Sequence, residues 1–168
     1  MKFAIIDIET RSCVNLEVAG VSRYARDPMT EVLCLSYVLD DDADPQIWHV
    51  GDPLPAPLFT ATKLVAHNMA FERGVWTHVL TPRHGFPPMP PLSAQRCTMA
   101  MALSAALPAE LAKLAEALDL PIKKDREGYL LMSEDVAAAE AAQGRGPERN
   151  LLGRQSRAAQ AARNLLHE

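Results

Sequence analysis

Apolar and β-branched residues open the chain. Phe3-Ala4-Ile5-Ile6-Asp7-Ile8 reads as a buried strand over residues 3–8. Residues 10–30 are mostly polar and read as a long connection. Apolar positions return over 31–39, an Asp-rich turn fills 40–45, and 46–50 completes a predicted hairpin. Pro53, Pro55 and Pro57 mark a loop, with a short helix expected near 58–62. Residues 63–66 read as a fourth strand. It leads through His67-Asn68 into a helix over 70–80, where Phe71, Val75, Val79 and Leu80 share a face. Prolines dominate 81–92, which is expected to be a loop. Two further helical segments are expected at 97–107 and 109–118. Pro108 sits at the start of the second, and Leu111, Leu114, Ala115 and Leu118 form its stripe. Beyond Met132 the pattern weakens to helix-like stretches at 133–142 and 150–166, broken by Gly144, Gly146 and Pro147. Three or four strands followed by helices predict a layered α/β domain.

Composition narrows this picture. At 168 residues, 48% apolar and 23% charged, the chain is sized and composed for one globular domain, with room for a tail. No apolar run reaches the ~18 residues of a membrane span. The opening Met1-Lys2-Phe3-Ala4-Ile5-Ile6-Asp7 is a poor secretory signal. Cys13, Cys34 and Cys97 are odd in number and widely spaced, which argues against a disulfide framework or a zinc site. The expected setting is the reducing cytoplasm, with no membrane partner.

Charge and aromatic content divide the chain. Residues 1–142 carry 12 basic against 19 acidic residues, and residues 143–168 carry five against two. Eight of the nine aromatics lie at or before Phe86, and only Tyr129 follows, so the last stretch is unlike the rest. An acidic first part meets a polyanion only locally or through bridging cations.

The sharpest chemical feature is Asp7-Ile8-Glu9-Thr10 at the end of the first strand. Side chains at i and i+2 share a strand face, which pairs Asp7 with Glu9. Two close carboxylates resist joint ionisation unless cations neutralise them, and hard divalent ions with oxygen ligands do so. The alternative is two solvated acids at a strand end. The second feature is His67-Asn68-Met69-Ala70-Phe71-Glu72. Asn68 is placed to cap the helix through its side-chain oxygen, with Glu72 in the first turns. If residues 63–66 run parallel beside the first strand, Glu72 comes near Asp7 and Glu9. The alternative is an ordinary capped helix with an exposed Glu72. The Asp40 to Asp44 cluster lacks the Gly and distant Glu of a calcium loop. The histidines lack zincin spacing, and the chain has no nucleophile elbow, phosphate-binding glycine loop or dinucleotide fingerprint.

Taken in order, Asp7-Ile8-Glu9-Thr10, Thr30-Glu31-Val32-Leu33-Cys34-Leu35, His67-Asn68-Met69-Ala70-Phe71-Glu72 and Arg96-Cys97-Thr98-Met99-Ala100 form one pattern. It resembles the 3′–5′ exonuclease domain of bacteriophage-type family-A DNA polymerases. The likeness continues through Leu107-Pro108, Lys124-Asp125, Gly128 and Leu131-Met132, and so covers residues 1–132. It implies a ribonuclease-H-like α/β fold, a mixed central sheet flanked by helices. It further implies a proofreading-type enzyme that removes nucleotides from the 3′ ends of single-stranded DNA, in association with a polymerase module. Four carboxylates would hold two Mg²⁺ or Mn²⁺ ions. Asp7 would bridge both, Glu9 would bind one and orient the attacking water, and Glu72 would take the position of the third acid, usually Asp. Asn68 matches the Asn that starts the second motif, and with Thr10 and Phe71 it is expected to contact substrate. Phe71, Tyr24 or Trp76 would offer a stacking face, and Arg23 and Arg26 a phosphate contact. The competing reading for each aromatic is the core, and for each arginine an exposed loop charge.

The fourth acid departs from the family. The family supplies it from a late helix, four residues after a Tyr or His. Here Asp135, followed by Val136 and Glu140, is the nearest match, but Leu131 stands four residues before it and Tyr129 six. Three accounts stand: Asp135 serves with an altered partner, a second chain supplies the acid, or the chain is a truncated prophage copy with an aberrant 133–168 segment. The functional alternatives are an inactive nucleic-acid-binding or interaction module and an RNA-trimming exonuclease.

Overall fold

The computed structural model describes residues 2–40 and 44–120. The segments 133–142 and 150–166, the 1–132 boundary and Asp135 therefore lie outside the described residues. The fold is α/β, a mixed five-stranded sheet flanked by helices, with strand order β3-β2-β1-β4-β5. β1 (Phe3–Arg11) is central. It pairs antiparallel with β2 (Glu31–Leu39) and parallel with β4 (Lys63–Ala66). β3 (Gln46–His49) extends the antiparallel side and β5 (Gln95–Cys97) the parallel side. This arrangement is compatible with a ribonuclease-H-like sheet. Among the described residues, no helix is long and apolar enough to cross a membrane.

The period-two pattern of β1 explains its central place. Ala4, Ile6 and Ile8 point into the main core with Leu35, Trp48, Leu64 and Ala66. Ile5 points the other way and packs with Val65 and Phe3. At the hairpin, Asp40 Oδ1 accepts from Phe3 N at 2.6 Å, and Asp40 N donates to Phe3 O at 2.9 Å. One acid of the turn thus closes the β1–β2 ladder.

Three local expectations change. Residues 10–30 are not simply a connection, because α1 (Leu16–Arg26) lies within them. Asn15 Oδ1 caps it, accepting from Glu17 N at 2.9 Å and Val18 N at 3.1 Å. Gly20 interrupts the helix at φ 74 and ψ 163, so its apolar positions follow no single helical period. The proline-rich 81–92 stretch begins as helix. α2 (Met69–Val75) runs through a π turn (Trp76–Leu80) into α3 (Thr81–His84), which ends at left-handed Gly85. In the π turn Thr81 N reaches back to Trp76 O, so Pro82 enters at the first turn of α3 and not inside a regular α-helix. Finally, Cys97 ends a strand instead of starting a helix, and α4 (Thr98–Ser104) follows it. A short 3₁₀ turn (Ala56–Thr60) and α5 (Leu111–Ala117) complete the described elements used below.

α1 and α2 approach closely at Gly74. A Cβ there would stand 2.7 Å from Val21 Cγ1 and 3.5 Å from Ala25 Cβ. Valine is stiff at χ1, so relief requires the helices to part. Gly74→Ala should lower the urea midpoint even though alanine returns about 1 kcal/mol of helix propensity. Gly74→Val, without that return, should cost about 2–3 kcal/mol. Midpoints at or above wild type would show that the contact is slack.

Candidate carboxylate site

The parallel β1–β4 pairing brings the chain after β4 beside the C-terminal half of β1, the usual place for a ligand crevice in parallel sheets. Asp7 and Glu9 share one face of β1, at 2% and 7% exposure, while Glu72, in the first turn of α2, is 2% exposed. The structure thus brings the three acids together as buried neighbours. Burial pushes the Asp7 carboxyl well above its ordinary range, and the nearby charges of Glu9 and then Glu72 push it further. Glu72 is raised to about 8, chiefly by burial. A backbone hydrogen bond opposes the rise, and Cys97 and Glu9 add to it. Asp7 Oδ2 and Glu72 Oε2 are buried and have no hydrogen-bond partner among the described residues. Among the described residues, neither acid forms an ion pair with Lys, Arg or His.

Buried oxygens left without donors beside like charges suit hard divalent cations, which take oxygen ligands and supply the missing positive charge. The donor set of Asp7, Glu9 and Glu72 fits such an ion in kind. The side chains are not drawn round one point, however. Among the described residues no group of three His, Cys, Asp or Glu stands ready to hold a metal.

The neighbours of the site differ from several expectations. Asn68 does precede α2, but its side chain makes no capping bond. Its backbone oxygen accepts from Phe71 N at 2.7 Å instead. Phe71 is 1% exposed and meets the Tyr24 ring at 6.0 Å, so it is core and offers no free stacking face. Trp76 is 2% exposed, donates Nε1–H to Pro87 O at 2.8 Å and packs edge-on against Phe86. Thr10 is buried, with its hydroxyl 2.8 Å from Tyr24 Oη. Amphipathic spacing does not tell a core aromatic from a binding aromatic, which is why these were candidates.

Sequence reasoning passed over Cys34 and Ser36. The β1–β2 register sets Cys34 opposite Glu9 and Ser36 opposite Asp7, so both stand on the carboxylate face. Burial, then Glu9 and Asp7, push the Cys34 thiol up to about 11. The strand over 31–39 was readable, but the register that selects these partners was not. Cys13 is exposed, while Cys34 and Cys97 are partly buried. His67 has a structural place. Its Nε2 lies 2.8 Å from Ala109 O and its Nδ1 3.0 Å from Thr98 Oγ1. A carbonyl only accepts, so Nε2 carries the proton, and burial lowers the imidazole pKa. The ring ties the end of β4 to α4 and to the approach to α5.

Comparison with known proteins gives one orientation. The chain is 37% identical over 138 residues, 79% of its length, to a DNA polymerase of Bacillus phage SP02. It spans 20% of that polymerase's length, so the match concerns a part of the larger protein. No family model and no solved structure matches.

Proposed function

We propose that this chain is a polymerase-associated, metal-dependent 3′–5′ exonuclease unit that trims single-stranded DNA from its 3′ end. The observation that carries the reading is the buried trio Asp7, Glu9 and Glu72, with two carboxylate oxygens that find no donor among the described residues. Similarity to a phage DNA polymerase supports it from a second direction. Asp7, Glu9 and Glu72 would hold two Mg²⁺ or Mn²⁺ ions, with Asp135 as the proposed fourth ligand. Bound divalent ions stabilise the attacking and leaving oxygens of a phosphodiester. The chain's own contribution is to hold its acids at fixed places on β1 and α2. It also keeps them in a low-dielectric setting where they ionise only against positive charge. Asn68, at the mouth of α2, is the remaining substrate-contact candidate, because its side chain is not spent on capping.

A 5′-labelled single-stranded oligonucleotide tests the proposal. Incubation with Mn²⁺ should give a ladder shortening stepwise from the 3′ end, and chelator should stop it. A strand left intact at every Mn²⁺ and Mg²⁺ concentration would sink the proposal. An RNA strand of the same sequence, degraded equally well, would move the assignment to RNA trimming. A second reading, a non-catalytic binding module on the same fold, is favoured by one observation: among the described residues no three side chains close on a metal.

A further inference from the structure

We infer that the open groove at the end of α1 is a phosphodiester track for the single strand whose 3′ end enters the carboxylate site. The inference rests on the exonuclease reading above. The groove is about 500 Å³ and is lined by Ala19, Ser22, Arg23, Arg26, Asp27 and Pro28. Arg23 and Arg26 are both exposed in the last turn of α1, at the i, i+3 spacing that sets side chains next to each other. Among the described residues neither is ion-paired with an acid. Arg26 Nε donates to His78 Nε2 at 3.3 Å, which spends one of five N–H groups. The acid in the lining is Asp27, and its Oδ1 accepts from Met29 N at 2.9 Å. Arg83 adds charge at the turn that follows α1. Its guanidinium donates to Thr30 O at 2.8 Å and to Asp27 O and Pro28 O at 3.2 Å, which also fixes the turn.

Among the described residues Arg23, Arg26 and Arg83 form no ion pair with an acid, and Arg83 is bonded to the turn that follows the other two, in a chain whose residues 1–142 are net −7. Paired guanidinium forks match phosphate oxygens in geometry and charge. The groove is also tied to the site. Tyr24, between the two arginines in sequence, holds Thr10 Oγ1 at 2.8 Å, next to Glu9, and its ring meets Phe71, next to Glu72. Tyr24 thus connects the helix that carries the groove's arginines to the residues beside Glu9 and Glu72. A strand threaded this way meets positive charge on its upstream phosphates while its terminal phosphodiester faces the carboxylates.

Fluorescence anisotropy of a 5′-fluorescein oligothymidylate, titrated with the full Asp7→Asn chain in Mg²⁺, tests this. Between about 50 and 200 mM KCl, log K should fall linearly with log salt. R23A/R26A should bind more weakly, with a slope less steep by about 1.4, or 0.7 for each lost single-strand contact. R23K/R26K should keep the slope, and Lys2→Ala, at the far end of β1, should change neither slope nor affinity. An unchanged slope in R23A/R26A overturns the track, even if the wild-type chain shortens the strand. A strand neither bound nor shortened overturns both the track and the reading beneath it.

Discussion

Asp7→Asn should lower the Mn²⁺-dependent rate of strand shortening by on the order of 10³-fold or more, about 4 kcal/mol of transition-state stabilisation. The replacement keeps the size and planarity of the side chain and removes only its charge. Asp7 is 2% exposed, so simple truncation would confuse a lost ligand with a cavity. The amide does not. It also relieves the repulsion from Glu9 and Glu72 that raises the Asp7 pKa. The variant should therefore melt in chelator at or above the wild-type temperature while losing activity. That pairing separates a catalytic role from a structural one, because a structural residue would lose stability and activity together. Glu72→Gln should behave in the same direction for the same reason. Equal shortening by wild type and Asp7→Asn would show that the activity comes from elsewhere.

The parts of this site that were legible in the sequence are those fixed by local periodicity. Asp7 and Glu9 share a strand face because they are two residues apart in an apolar run. Residues 31–39 and 63–66 were readable as strands because their β-branched and apolar content is dense. Glu72 needed one step more, a parallel β4, and the observed β1–β4 pairing supplies it. What escaped depends on contacts distant in sequence. β5 is three residues long and is a strand only because Leu64, Val65 and Ala66 pair with it. Cys34 and Ser36 face the carboxylates through a register that includes a shift between Glu9 and Thr10. Phe71 has the same helical spacing whether its face meets core or substrate, and packing against Tyr24 decides it. α1 escaped for a different reason: the Gly20 kink erases the period that would have announced it.

In chelator the protein should lose stability as pH rises from about 5 to about 8, and divalent cations should restore it most at the upper end. The direction follows from proton counting. Asp7 and Glu72 have folded-state pKa values above their ordinary ones, Glu72 at about 8, so the folded chain keeps protons that the unfolded chain releases above its ordinary carboxyl range. Unfolding then releases protons throughout this window, and stability falls with pH until the folded-state pKa is passed. At 1.36 kcal/mol per pKa unit, the loss is on the order of a few kcal/mol. Two histidines act oppositely. Burial lowers the pKa of His67 and His84, so their contribution grows as pH rises through the ordinary histidine range. Glu72→Gln leaves both histidines in place, and its melting temperature should therefore depend less steeply on pH than that of wild type. A cation that binds the ionised acids in the folded state adds stability by mass action, so the Mn²⁺-induced rise should be larger at pH 8 than at pH 5. It should also shrink in Asp7→Asn and in Glu72→Gln. Melting curves at several pH values, with Mn²⁺ and with chelator, read all of this without requiring turnover. A melting temperature indifferent to Mn²⁺ at pH 8 would remove the metal from the site and leave the non-catalytic module as the reading of this fold.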